Sequence, residues 1–153
     1  PRRMDCVVRR VASASSNDER TMIDITGYES EYTADFLKRK GRRNAEVYIP
    51  KGGVDAFICY RHGKPDGKAD LLVHDGWGMI EDLDVLPDMR GQRIGTTIIH
   101  ALVDVAVEQG AKGVFLVTDA EDTAKEMYAK LGFIEYPGRM SLFYDLTYRR
   151  PEK

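Results

Sequence analysis

The sequence predicts an α/β fold, a mixed sheet with helices packed on it, and three observations carry that expectation. The second half alternates apolar runs of strand length with amphipathic helical periods. Glycines stand where those periods end, and an Asp-Gly pair separates two strand-like runs in the first half. At 153 residues with 42% hydrophobic and 31% charged content, the chain suits one domain, 1–153, of ordinary size. A domain of that length buries roughly 70% of its unfolded surface, so it needs neither disulfides nor a structural metal.

In chain order, Cys6 to Val11 reads as a first strand, followed by a Ser-rich loop at Ser13 to Asn17. A helical stretch then carries Tyr28, Tyr32, Phe36 and Leu37 and stops at Gly41. Ala45 to Ile49 and Val54 to Tyr60 read as a hairpin about Pro50-Lys51-Gly52-Gly53. A polar turn at Lys64 to Lys68 leads to a strand at Asp70 to His74, and Asp75-Gly76 is a favoured tight-turn pair before the strand Gly78 to Val85. Trp77 and the group Tyr28, Tyr32 and Phe36 are expected to build core.

The periodicity sharpens beyond this point. Ile94, Ile98, Leu102 and Val105 line one side of a helix with Ile99, Val103 and Ala106, while His100, Asp104 and Glu108 fall on the other, and Gly110 stops it. Val114 to Thr118 is an apolar strand. Ala124, Met127, Tyr128 and Leu131 restore helical spacing up to Gly132, and Phe133 to Tyr136 and Met140 to Leu146 close the domain as strands.

A net charge of −2 argues against nucleic acid or an anionic membrane as the main partner, and the basic run Lys38 to Arg43 reads as a solvated helix end. Cys6 and Cys59 stand far apart with no CxxC spacing, so no zinc site and no disulfide framework is expected and a reduced, cytoplasmic setting is the simplest reading. The amino end lacks the apolar run of a signal peptide. His62, His74 and His100 have no ligand spacing, and no metal is expected.

The stretch from Leu83 to Thr96 is the most informative, a strand, a turn set by Pro87 and a glycine-containing entry into a helix. The first turn of a helix offers unpaired backbone N–H groups and the positive end of the macrodipole, so such a junction suits phosphate. Arg90 and Arg93 add charge. The glycine patterns of nucleotide-hydrolysing loops and of dinucleotide-binding folds are absent.

Arg90-Gly91-Gln92-Arg93-Ile94-Gly95 resembles the acetyl-CoA-binding motif of the GNAT acetyltransferase superfamily, (R/Q)xxGx(G/A), with Arg93 where the family has its middle glycine. Ala124, Tyr128, Gly132 and Phe133 are similar to that family's AxxxYxxxGF signature, with Glu121 where an Asn often stands. The resemblance covers 78–146 and implies a GNAT-like mixed, mostly antiparallel sheet flanked by helices. It also implies acetyl-CoA as acetyl donor, held by Arg90, Gly91, Gln92, Arg93, Ile94, Gly95 and Thr96, with Leu83 and Val85 beside the thioester and pantetheine. A non-catalytic sensor or scaffold that keeps the same CoA cleft is the alternative.

The implied reaction is direct attack of a primary amine, on a small molecule or a peptide, upon the acetyl thioester. An alkyl amine with pKa near ~10.4 requires roughly 4.6 kcal/mol to be presented neutral at pH 7. Alternation along Glu81-Asp82-Leu83-Asp84 puts Glu81 on one strand face and Asp82 and Asp84 on the other. The resemblance favours Glu81 as base through a water, Asp82 in substrate binding and Tyr128 as the acid that protonates the leaving thiolate. The acceptor and the oligomeric state, a homodimer included, are open at this level.

Overall fold

The computed structural model describes residues 5–119, 121–122 and 124–136. Among them, five strands form one sheet in the order β1 (Cys6–Arg10), β2 (Asp55–Arg61), β3 (Lys64–His74), β4 (Trp77–Val85) and β5 (Gly113–Leu116). The pairs from β1 to β4 are antiparallel and the pair β4 with β5 is parallel. Helices α1 (Ala14–Gly27), α2 (Ala34–Arg43), α3 (Ile94–Glu108) and α4 (Ala124–Lys130) flank it, the mixed, mostly antiparallel arrangement that the resemblance implied. Among the described residues, no helix is long and apolar enough to cross a membrane.

Successive residues of β2 point to opposite faces and so separate two cores. Phe57 and Cys59 join Ala69, Leu71 and Ile80 beneath α3, whose Ile94, Ile98, Ile99, Leu102 and Ala106 are buried. Burying each Ile or Leu side chain contributes about 1.5–3 kcal/mol. Ala56 and Ile58 face the other way, toward Val11 and the α1 residue Ile23.

The Ser-rich segment expected to be a loop is the start of α1. Ser13 is its N-cap, and Ser13 and Ser16 each bond the other's backbone N–H in a capping box. The single helix expected through Tyr28 and Phe36 is two helices separated by 28–33, and Gly41 does not stop the second. It lies buried within α2, where a side chain would strike Thr21. The hairpin expected about Pro50 is also absent, because Asn44–Tyr48 continues α2 as one π-helical stretch and β2 begins at Asp55.

The turn expected at Lys64 to Lys68 sits instead at His62-Gly63, both with positive φ, 50° and 77°. β3 starts at Lys64 because its polar residues are buried and paired, Asp66 to Arg61 and Lys68 to Asp24 and Asp82. The Asp75-Gly76 turn forms as expected, with φ 48° and 78°. Trp77 is 57% exposed and covers Gly113 rather than building core, and Tyr32 and Phe36 are also exposed. Phe133 to Tyr136 is not a strand among the described residues, and the strand expected at Met140 to Leu146 lies outside them.

Candidate active site

The parallel ladder of β4 with β5 ends at Ile80 opposite Leu116, so the segment Glu81 to Val85 runs on with no β5 partner at that edge. On its other edge the ladder to β3 slips, since Asp70 faces Glu81 while Lys68 faces Asp84. The extra residue is accommodated at Asp82, whose φ is 51°, a β-bulge in a non-glycine residue. The bulge cancels the expected alternation. By register Glu81 and Asp84 lie on the side of Asp70 and Lys68, and the bonds of Asp82 bring it to the same side.

That side carries a knot of charge. The Asp82 carboxylate is held by Arg20 at 2.6 Å, Lys68 at 2.7 Å and Lys40 at 3.1 Å. Burial alone would raise its pKa, but Lys68, Arg20 and Lys40 outweigh burial and hold it at about 2. Lys68 and Asp24, both fully buried, pair at 2.9 Å, and Arg20 also binds Asp70 at 2.7 Å. Lys40, from the run expected to be a solvated helix end, is thus turned inward. Glu81 is exposed, and its side chain makes no ion pair or hydrogen bond among the described residues.

After β4 a short 3-10 turn, Pro87–Met89, leads to Gly91 at φ 72° and Arg93 at φ 65°. Arg93 is the N-cap of α3, and its left-handed backbone explains why the related motif places glycine there. No side chain caps α3 and no acidic residue stands in its first turn, so its amide end is unblocked. Arg61 braces the loop from behind, donating from Nη1 to Gln92 Oε1 at 2.9 Å and from Nε to Asp66 at 2.7 Å. Arg90 donates from Nε to the Val85 carbonyl at 3.0 Å.

A cleft of about 890 Å³ opens between this loop and α4. Leu83 and Val85 line it from the strand, Arg90, Gly91 and Arg93 from the loop, and Ile94, Gly95 and Thr96 from the first turn of α3. Tyr128 lines it from α4, half-buried and edge-on to Phe133, with burial and the nearby Asp122 pushing its phenol pKa up. A Cβ on Gly95 would be in ordinary van der Waals contact with Met127 Sδ at 3.4 Å, so α4 packs directly over this turn. Glu81, Asp82 and Gln92 are not part of the lining.

Tyr28 and Asp84 are among the lining residues that were given no site role from sequence. Tyr28 was expected to build core with Tyr32 and Phe36, although the resemblance implies that the early helices often border the acceptor pocket, and Asp84 was passed over in favour of Glu81. The bulge that turns this strand has no signature in residue type, so register alone reveals it. Burial, reinforced by Asp84, Asp82, Asp24 and Glu31, pushes the Tyr28 phenol pKa far up and keeps it protonated.

Comparison with known proteins is consistent with this geometry. The chain is 28% identical over 109 residues to streptothricin acetyltransferase A of Bacillus subtilis, covering 69% of this chain and 63% of that one. It is 30% identical over 120 residues to an uncharacterised N-acetyltransferase of Methanocaldococcus jannaschii, covering 71% and 51%. The chain therefore spans between half and two thirds of the length of these curated relatives.

Glucosamine-6-phosphate N-acetyltransferase from Arabidopsis thaliana shares the fold at TM-score 0.68 and 20% identity, over 92% of this chain and 99% of that one. So does AAC(6')-Iy, solved with a bisubstrate analogue of CoA and acetylneamine, at TM-score 0.71 and 17% identity over 92% and 97%. The model of the acetyltransferase (GNAT) family matches residues 25–133, and the chain belongs to that family.

Proposed function

We propose that this protein transfers an acetyl group from acetyl-CoA to a primary amine of a small molecule or peptide, by direct attack without a covalent enzyme intermediate. The observation that carries the reading is the cleft itself, which joins the uncapped end of α3, the cations Arg90 and Arg93, the free edge of β4 and the phenol of Tyr128. Family membership supports acetyl transfer, and the CoA-bearing relative of the same fold supports the donor.

The residues present suit a pyrophosphate-bearing donor. Backbone N–H groups from Gly91 to Thr96 and the guanidinium groups of Arg90 and Arg93 offer an anion site, and Arg93 keeps at φ 65° the left-handed backbone that suits a glycine at this position. When bound, acetyl-CoA supplies the activated thioester. Leu83 presents backbone to it from the edge that β5 leaves free, and Val85, whose N–H and carbonyl are taken by Asp84 and Arg90, lines the cleft beside it. Tyr128, kept protonated by its burial, donates the phenol proton to the departing sulfur. Glu81, exposed beside the cleft strand, takes the amine proton through a water, and Asp82, held by internal cations, fixes the bulge that carries Glu81.

Release of free thiol from acetyl-CoA, measured with a panel of amines, tests the activity, and retention on immobilised CoA tests the cleft independently. Gly95→Glu places an anion at the α3 entrance and should abolish CoA binding in a variant that circular dichroism shows to be folded. Unchanged affinity by calorimetry removes the anion site from this helix. Tyr128→Phe preserves the ring contact with Phe133 and should lower turnover near the low end of the ~100-fold to ~10,000-fold range of general acid catalysis, with little change in melting temperature. Normal turnover under conditions where chemistry limits the rate makes Tyr128 a packing residue.

A further inference from the structure

Six buried side-chain polar atoms lack a hydrogen-bond partner among the described residues, and Asp84 Oδ2 is the one whose residue lines the cleft. The residue is 7% exposed. Its other oxygen is engaged, accepting from the Val85 N–H at 2.8 Å and lying 3.4 Å from Arg90 Nη2. The free oxygen sits against the last residue of α1, where a Cβ on Gly27 would collide with it, and the next residue, Tyr28, lines the same cleft. A buried carboxylate oxygen without a donor is unfavourable, and in a residue that lines a cleft a ligand can supply the missing donor.

Resting on the acetyl-transfer reading, we infer that Asp84 and the Tyr28 hydroxyl form the ammonium-binding corner of the acceptor site, and that the acceptor class is a polycationic amine rather than an amino sugar phosphate. The charges around this corner support the choice of class. Asp82, Asp24 and Glu31 reinforce the negative field at Tyr28, and Asp122 and Glu126 line the cleft together with Arg90, Arg93 and Lys130, of which Arg90 and Arg93 belong to the donor's anion site. Lys68 and Arg90 face Asp84; Lys68 is bound to Asp24 and Asp82, and Arg90, while donating from Nε to the Val85 carbonyl, pairs through Nη2 with Asp84 Oδ1 and leaves Oδ2 without a partner. Burial pushes the Asp84 carboxyl up, with Lys68, the Val85 amide and Arg90 opposing and Asp24 reinforcing. A ligand cation would relieve that burial, whereas a phosphate beside it would deepen the repulsion. Among solved relatives of this fold both acceptor classes occur by name, an aminoglycoside and glucosamine 6-phosphate, so the fold alone does not choose between them.

The test separates binding from turnover. Spermidine, neamine and glucosamine 6-phosphate are titrated by calorimetry into the CoA-saturated wild-type protein, Asp84→Asn and Tyr28→Phe. The wild type should bind the two polycations and not the sugar phosphate, and Asp84→Asn should weaken the polycations by about tenfold to hundredfold, the range of a charged hydrogen bond. Tyr28→Phe should weaken them less. The melting temperature of Asp84→Asn should equal or exceed that of the wild type, because a functional buried charge is removed.

A falling melting temperature with unchanged spermidine and neamine affinity makes Asp84 a structural brace and overturns the proposal. So does tighter binding of glucosamine 6-phosphate than of the polycations. Thiol release in the same samples reports on acetyl transfer separately. Polycation binding that depends on Asp84 without turnover would therefore defeat the enzymatic reading while leaving this corner in place.

Discussion

The two faces of the sheet hold their helices by different means. Under α3 the contact is apolar, with Ile94, Ile98, Ile99, Leu102 and Ala106 buried on Phe57, Cys59, Ala69, Leu71 and Ile80. Under α1 the buried residues include Asn17, Arg20 and Asp24, set against Lys68, Asp70 and Asp82 from the strands. The apolar face anchors the loop whose backbone lines the cleft. The charged face anchors the bulge that places Asp84 and Glu81. Non-directional packing can hold a helix end firmly, but a bulge with a left-handed Asp needs directional partners, and the three cations on Asp82 supply them.

The most disruptive way to probe this difference is to remove one member from each face. Lys68→Ala leaves the buried Asp24 with Lys40 at 3.4 Å in place of its 2.9 Å partner and should destabilise by about 3–5 kcal/mol, because a poorly compensated buried charge is left behind. Leu102→Ala on the opposite face should lose about 2–5 kcal/mol through lost contacts and a cavity. Lys68→Met separates charge from volume. If denaturant unfolding finds it as stable as the wild type, the charged face is held by packing and the contrast between the faces disappears.

Acid separates the faces next. Asp82 has its pKa depressed to about 2, so the stability it contributes is fully present above the ordinary carboxylate range and is lost as pH falls from about 4 toward about 2. That loss amounts to roughly 2 kcal/mol for a shift of this size. Leu102→Ala should lower the stability curve evenly across the range, while Asp82→Asn should lower it at neutral pH and converge on the wild type in that acidic window. Parallel curves for wild type and Asp82→Asn would mean that the ion pairs with Arg20, Lys40 and Lys68 carry no net stability.

The same contrast decides what could be read from sequence. The β4 to α4 half was legible in its element order, including the α3 register, the glycine stop at Gly110 and the Asp75-Gly76 turn, because apolar periodicity reports an apolar interface. The α1 half was not. Its buried stripe is polar, so Ser13 to Asn17 looked like a loop, and Lys64 to Lys68 looked like a turn although Lys68 is fully buried. In the cleft, the stretch from Arg90 to Thr96 has the local signature of a helix entrance and Leu83 and Val85 came from the family resemblance; all of them line the cleft except Gln92, which turns back to Arg61. Asp84 and Tyr28 could not be named in advance, since a bulge in β4 and a break between α1 and α2 place them.

The smallest effect tests where α2 crosses α1. A glycine at position 41 reads as a helix stop, yet Gly41 is buried inside α2, its carbonyl accepting from Asn17 Nδ2 at 3.2 Å. A Cβ at this position would overlap the Thr21 hydroxyl and lie 2.8 Å from Thr21 Cγ2. Thr21 cannot swing away freely, since its hydroxyl donates to the Asn17 carbonyl at 2.9 Å. Gly41→Ala gains about 1 kcal/mol of helix propensity but meets an overpacking penalty of typically ~1–3 kcal/mol, so a net loss of about 1 kcal/mol is expected. Thr21→Ala should relieve the overlap, and the double variant should therefore be more stable than the sum of the single changes predicts. Additive effects, or a Gly41→Ala variant that melts higher than the wild type, would show that α2 does not pack on α1 this closely. Lys40, one residue earlier, would then lose the geometry that brings it to Asp82.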